Sequence, residues 1–284
     1  MDAKNIGSLL KETYDEFSRD NAMRLAAALA YYTIFSIAPL LVIIIAITAL
    51  WLGHKGATQE ISTQLHGLVG DSGATAIQSM VESANQPKQG IVAVIIGFVT
   101  LLIGATGVFG QLKDALNTVW KAKPQPSSGV WSFVKDRFLS FAMVLGTGFL
   151  LLVSLVISAG LAALGNVLNG MLPGWTILAE VLNTIISLAL ISVLFAMIFK
   201  VLPDVHVRWS DVWHGAIATS LLFTIGKFAL GFYLGRGAAA SSYGAAGSLV
   251  VVLLWVYYSA MILLFGAEFT EVYARRVGEQ KKSA

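Results

Sequence analysis

Apolar residues gather into six long runs, at 25–52, 90–112, 138–164, 176–199, 212–234 and 248–267, separated by shorter polar stretches. Each run holds at least 20 residues, and only Glu180 and Lys227 bring a charge into any of them. A helix rises about 1.5 Å per residue, so each run can cross a hydrocarbon core about 30 Å thick. The pattern predicts an all-α fold: a polytopic membrane protein of six transmembrane helices forming one membrane domain over 1–284. An even number of crossings puts both termini on the same side.

The polar stretches carry patterns of their own. Ile6, Leu9, Leu10, Thr13, Tyr14 and Phe17 recur at helical spacing, opposite Lys4, Ser8, Lys11, Glu12, Asp15 and Arg19. Residues 1–20 therefore predict an amphipathic cytoplasmic helix lying on the membrane or on the bundle. In the loop 54–89, Ile61, Leu65, Leu68 and Val69 make one stripe, and Ala76, Ile77, Met80 and Val81 make another. Asp71 or Ser72 can cap the second stripe, which gives an external helical hairpin, either a cap or a lid. Leu112, Ala115, Leu116 and Val119 carry the second helix past the membrane to an interfacial Trp120, before the Pro124–Gly129 stretch stops it. Asn169-Gly170 and Pro173-Gly174 mark an external turn. Residues 235–247 read as an irregular or re-entrant external loop, and 269–284 as a cytoplasmic tail.

Charge then orients the bundle. Of 19 lysines and arginines, fifteen fall on one side: Lys4, Lys11, Arg19, Arg24, Lys113, Lys121, Lys123, Lys135, Arg137, Lys200, Arg208, Arg275, Arg276, Lys281 and Lys282. The other side receives only Lys55, Lys88 and Arg236. Cytoplasmic loops retain lysine and arginine, so both termini are expected in the cytoplasm. The net charge of +3 and pI near 9.0 follow from this bias and call for no nucleic-acid partner. Charged residues make up 12% of the chain, against about 25% in soluble domains. The first 20 residues are polar and the first apolar run is too long for a cleavable signal peptide, so insertion is expected to use that span uncleaved.

Candidate chemistry is confined to the exceptions. There is no cysteine, which excludes thiolate catalysis and cysteine metal sites. His54, His66, His206 and His214 show no helical zinc spacing, and no phosphate loop or nucleophile elbow is present. No cofactor or metal site is expected, and enzymatic activity is not. Pro39, following Ser36, removes a backbone donor in mid-span and kinks or opens the helix, as a hinge or as a tolerated membrane proline. Glu180 and Lys227 fall at similar depth near the outer surface; they are a pair, a pathway element, or charges snorkelling to headgroups. Asp20, Asn21, Arg24, Asp114, Asn117, Asp204, Arg208, Glu268 and Glu271 all fall at cytoplasmic helix ends, where they form a gate-like network or ordinary interfacial charge. Gly97, Gly104, Gly107 and Gly110, and Gly231 with Gly235, offer close helix approach.

Several of these residues sit in familiar surroundings. Asp20-Asn21-Ala22 with Ala26–Leu40, Leu116-Asn117-Thr118-Val119-Trp120, Leu202–Trp209 with its Pro203-Asp204, Tyr243–Ser248 and Gly266-Ala267-Glu268-Phe269 occur in order over about residues 10–275. Together they resemble the YihY/virulence factor BrkB family. The resemblance implies an integral inner-membrane protein of bacteria, with roles in the cell envelope that include lipid or lipopolysaccharide handling and transport. Members were once labelled ribonuclease BN, a label at odds with the absent nuclease constellation.

Residues and resemblance together lead to a transporter-like protein moving a solute or amphiphile, with the bilayer as its first partner and self-association left open. A non-transporting envelope scaffold is the alternative. The residues expected along a substrate path are Asp20, Asn21, Arg24, Ser36, Pro39, Asn117, Glu180, Asp204, Arg208, Lys227 and Glu268.

Overall fold

Six helices make up the regular structure among the residues described by a computed structural model, namely 3–35, 62, 74–75, 78–79, 107–122, 175–235 and 247–283. They are α1 (Ala3–Arg19), α2 (Ala22–Phe35), α3 (107–119), α4 (Trp175–Val201), α5 (Trp209–Gly235) and α6 (Gly247–Ser283). Residues 62, 74–75 and 78–79 are also helical, and the Gln78 side-chain amide donates to Ser62 Oγ across the loop expected to form the outer hairpin. The remainder of that hairpin, the third apolar run, Ser36 and Pro39 lie outside the described residues.

Two of the described helices are long and apolar enough to cross a membrane, over Val181–Val201 in α4 and Val250–Gly278 in α6. Helix α5 occupies the fifth apolar run as one uninterrupted helix of 27 residues. Its outward surface carries Ile217, Leu221, Leu222, Ile225 and Phe228, the last 72% exposed. So much outward apolar surface suits lipid rather than water.

Helix α6 continues past the sixth apolar run, through the stretch expected as a cytoplasmic tail, to Ser283, for 37 residues or about 55 Å. Nothing in 268–283 breaks a helix strongly, and Arg275 and Arg276 are held by side chains of α1.

The turns explain how the chain reverses. Helix α1 closes at Asn21, whose φ of 53° is one that asparagine tolerates. Its amide donates to Ser18 O, and its carbonyl then accepts from the Arg24 and Leu25 amides that open α2. Helix α3 ends at Lys121, φ 50°, with Lys121 N–H on Thr118 O at 3.0 Å and Ala122 N–H on Asn117 O at 2.9 Å. That is the paired bonding of a Schellman cap, with lysine where glycine usually sits. Arg208 caps α5, its carbonyl accepting from the Asp211 and Val212 amides. Lys200 closes the α4–α5 loop by donating to Val207 O and lying over the Trp209 ring.

One apolar core joins all six helices, through Phe17, Ala26, Leu116, Phe199, Val212 and Leu264 among others. Phe17 of α1 meets Phe265 of α6 edge to face at 5.7 Å. Between α4 and α5, the buried hydroxyls of Ser192 and Ser220 are 2.7 Å apart.

Helices α5 and α6 cross closest at a reciprocal pair of contacts. A Cβ built on Gly215 would lie 1.6 Å from Thr270 Oγ1, and one on Gly266 would lie 1.9 Å from Thr219 Oγ1. Each threonine turns its hydroxyl back to the glycine of its own helix: Thr219 donates to Gly215 O and Thr270 to Gly266 O, both at 2.6 Å. The hydroxyl is satisfied within its own helix, and the whole threonine head, its oxygen foremost, fills the notch opposite. In lipid, where apolar surface gives helices no reason to associate, such small-residue packing supplies the attraction. The glycines singled out from sequence fare differently. Gly107 lies against Tyr32, whereas Gly110 faces open space.

Overpacking a close crossing costs about 1–3 kcal/mol, while glycine to alanine in an open helical position gains about 0.5–1 kcal/mol. Gly215→Ala should therefore lower the thermal midpoint in detergent, and Gly110→Ala should hold or raise it. Adding Thr270→Gly to Gly215→Ala should recover part of the loss. Equal behaviour of the two glycines would rule the crossing out as a close one.

Candidate functional site

Helix α1 lies on the bundle through a mixed face. Leu9, Thr13 and Phe17 are buried as the pattern predicts, but so is Glu16, at 5% exposure. Ile6, Leu10 and Tyr14, from the same apolar set, stay outward at 45–57%. The helix is thus turned so that two glutamates, one turn apart, point at the end of α6 and at the end of α3.

Glu12 accepts from Arg275 at 2.9 Å and from Arg276 Nε at 2.8 Å, while Arg276 also reaches Ser8 Oγ and Ser8 O. Glu16 accepts from Lys121 at 2.8 Å and Arg19 at 2.9 Å, with Arg275 at 3.6 Å. The hydrogen bond from Lys121 holds Glu16 below the ordinary carboxylate range, against burial, which raises it; the charges of Lys121, Arg19 and Arg275 add to the lowering. The same bond holds Lys121 above the ordinary lysine range. The strained cap at the end of α3 thus places its ammonium on a buried carboxylate.

Behind this clamp lies Glu268, on α6, with no exposed surface. Neither of its carboxyl oxygens has a hydrogen-bond partner, and Asp20 Oδ2 and Glu271 Oε2 are in the same condition. Asp20, in the α1–α2 turn, lies near enough to Glu268 for each carboxyl to affect the charge of the other; a hydrogen bond between them would need one of the two acids protonated. Burial raises Asp20 above the ordinary range and the charge of Glu16 adds to it, against the charges of Lys121 and Arg19. Glu271 has Arg275 at 3.7 Å, beyond hydrogen-bond reach.

A second group stands apart on α3 and the α4–α5 loop. Asn117 Nδ2 donates to Asp204 Oδ2 at 2.9 Å, Asp204 N–H donates back to Asn117 Oδ1 at 2.8 Å, and Lys113 pairs with Asp204 Oδ1 at 3.1 Å. These contacts fasten the loop to α3 and are solvent-exposed.

The nine residues expected as one inner network are therefore divided. Asp20, Glu268 and Glu271 form the buried acid group, Asn117 and Asp204 form the loop clasp, and Asn21 shapes the turn. Arg24, Asp114 and Arg208 are exposed and make no ion pair among the described residues. Lys227 is half-buried on α5 and makes no hydrogen bond or ion pair among the described residues; the Glu180 side chain lies outside them. Glu12, Glu16, Lys121, Arg275 and Arg276 escaped the sequence reading. The one available signal was Glu16, a carboxylate placed between Thr13 and Phe17 on the apolar side of α1. Among the described residues no set of acids and histidines converges to hold a metal ion.

Sign decides what pH does to the clamp. A lowered carboxyl stabilises the fold above its unfolded value, near 4.5, and that contribution is lost as pH falls through the folded value. Glu16→Gln should therefore cost stability at neutral pH, and the gap to wild type should close in acid. Lys121 is 45% exposed, which places the cost at about 1–2 kcal/mol. Thermal midpoints of the two proteins across pH 3–7 provide the check.

Comparison with known proteins covers the same ground. The model of the family described as virulence factor BrkB matches residues 13–284, which include every residue of the acid group. Similar proteins include a UPF0761 membrane protein of Pseudomonas aeruginosa strain LESB58, 29% identical over 255 residues, covering 88% of this chain and 59% of that protein. A UPF0761 membrane protein of Tolumonas auensis is 26% identical over 259 residues, covering 87% of this chain and 78% of that protein. One from Rhodospirillum centenum is 26% identical over 266 residues, covering 92% and 56%. The chain spans about three-fifths of the length of the Pseudomonas relatives it matches. No solved structure matches. A match over nearly the whole chain, with the apolar helices of α4 and α6, makes this a membrane protein that belongs to the virulence factor BrkB family.

Proposed function

We propose that the protein is a carrier moving a solute or an amphiphile across the bacterial inner membrane, with both termini in the cytoplasm. The observation that supports this reading is Glu268: a fully buried carboxyl, unpartnered at both oxygens, on a helix long enough to cross the bilayer. Unpaired ionisable groups in such helices are costly, and they are kept where something must be bound or passed. A packing role alone would be met by an apolar side chain.

A non-transporting scaffold is the second reading, and the clamp favours it. Glu12 and Glu16 with Arg275, Arg276 and Lys121 account for five charges by fastening α1 to the rest. A scaffold needs such a clamp, but it has no use for the orphaned carboxyl behind it.

Purified protein in lipid vesicles tests the first reading. Wild type is expected to release entrapped solutes or to flip labelled lipids, and Glu268→Gln to lose most of that flux. Absence of flux for every lipid and solute tried supports the scaffold. Lys227→Met should leave flux and stability unchanged if that lysine only snorkels to the headgroups. Orientation has a direct check, because the chain has no cysteine. A single cysteine at Ser127 should react with a membrane-impermeant thiol reagent only from the cytoplasmic side, and one at Ser72 only from outside.

A further inference from the structure

The unpartnered oxygens of the acid group share one property: all are acceptors when ionised. Asp20 Oδ2, both Glu268 oxygens and Glu271 Oε2 are buried with no donor upon them. The nearby cations are engaged elsewhere. Lys121 is on Glu16, Arg19 is on Glu16, and Arg275 is on Glu12 and Glu16. A buried acceptor without a donor costs about 1–3 kcal/mol, and an ionised one costs more. Two facing carboxyls relieve this cost by sharing one proton, since the protonated partner becomes a donor.

We propose that Asp20 and Glu268 form a one-proton binding site between the α1–α2 turn and α6, and that its proton is the ion coupled to the protein's transport step. The coupling role rests on the carrier reading; the site itself does not. The proton comes from cytoplasmic water on the side of half-buried Asp20, and it returns there when the pair opens; no other bond forms or breaks.

The surroundings suit a site that loads and unloads. From α1, Glu16 disfavours charge on the pair, while Arg19 favours it. From the end of α3, Lys121 favours charge. From α6, Glu271 disfavours it, and Arg275 stands between Glu271 and Glu16. From α5, His214 stacks on Tyr273, which at 100° per residue lies about 140° round α6 from Glu268. The cation that most directly favours charge is Lys121, and it is pinned to Glu16. Moving α1 away from α6 would take Asp20 and Glu16 with it and would part Glu16 from Lys121 at the end of α3. A displacement of α1 would therefore change the proton affinity of Glu268, which is the linkage a coupled carrier requires.

Infrared difference spectra of wild-type protein between acid and alkaline pH, with isotope-shifted water, isolate the carbonyl stretch of protonated carboxyls. A band from a buried carboxyl should persist at neutral pH and titrate near or above it. Glu268→Gln, which mimics the protonated acid in size, should fold and lose that band, and Asp20→Asn should shift its midpoint. A pair that holds its proton in the folded protein loses stability as pH rises, so wild-type stability should fall through the site's midpoint. Glu268→Gln should flatten that fall while keeping the acid-side loss that belongs to Glu16. No buried band in wild type, an identical band in Glu268→Gln, or stability that follows sodium concentration rather than pH would overturn the site. A band and midpoint as expected, with no flux of any kind in vesicles, would keep the site and reject its coupling role.

Discussion

Two glutamates one turn apart on α1 hold one end of this bundle together. Glu12 takes the two arginines at the end of α6, and Glu16 takes the lysine at the end of α3. Three helices from distant parts of the chain converge on that one turn. Without it, Asp20 would have no fixed position above Glu268, and the end of α6 would be an unattached helix in water. The strain at Lys121, a lysine with a left-handed backbone, is tolerated because that conformation delivers its ammonium to Glu16.

The clamp and the acid pair lie side by side and respond to pH in opposite senses. Glu16 is surrounded by donors and prefers its charge; Asp20 faces acids and burial, and prefers its proton. Neutral pH keeps the first charged, and the second is the softer of the two. A firm ionic joint therefore stands beside a softer carboxyl, and both move with α1.

Deeper in the bundle, cohesion has a different origin. Gly215 with Thr270, and Thr219 with Gly266, let α5 and α6 approach until side chain meets backbone. Each hydroxyl is consumed by its own helix, so no polar group is left facing lipid. Ser192 and Ser220 repeat the theme between α4 and α5. Small side chains and self-satisfied hydroxyls replace the apolar drive that would hold these helices together in water.

The helices of the last three apolar runs were legible in one dimension, because the signal behind them is local: apolar run length against bilayer thickness. The runs at 176–199, 212–234 and 248–267 appear as α4, α5 and α6, and the projection of α3 to Trp120 follows its stripe of Leu112, Ala115, Leu116 and Val119. Glu268 and Asp20 stood out among the polar residues at helix ends, without any indication of which would meet. Their approach depends on how α1 packs on the bundle, and there Glu16 is buried beside Thr13 and Phe17, where hydrophobicity alone would not keep a carboxylate. The partners that tie Glu12 and Glu16 to other helices lie more than 100 residues away, at 121, 275 and 276. Periodicity says which residues share a face; it says nothing of which face meets which, and so the sequence determined the helices while tertiary packing alone decided where the carboxyls meet.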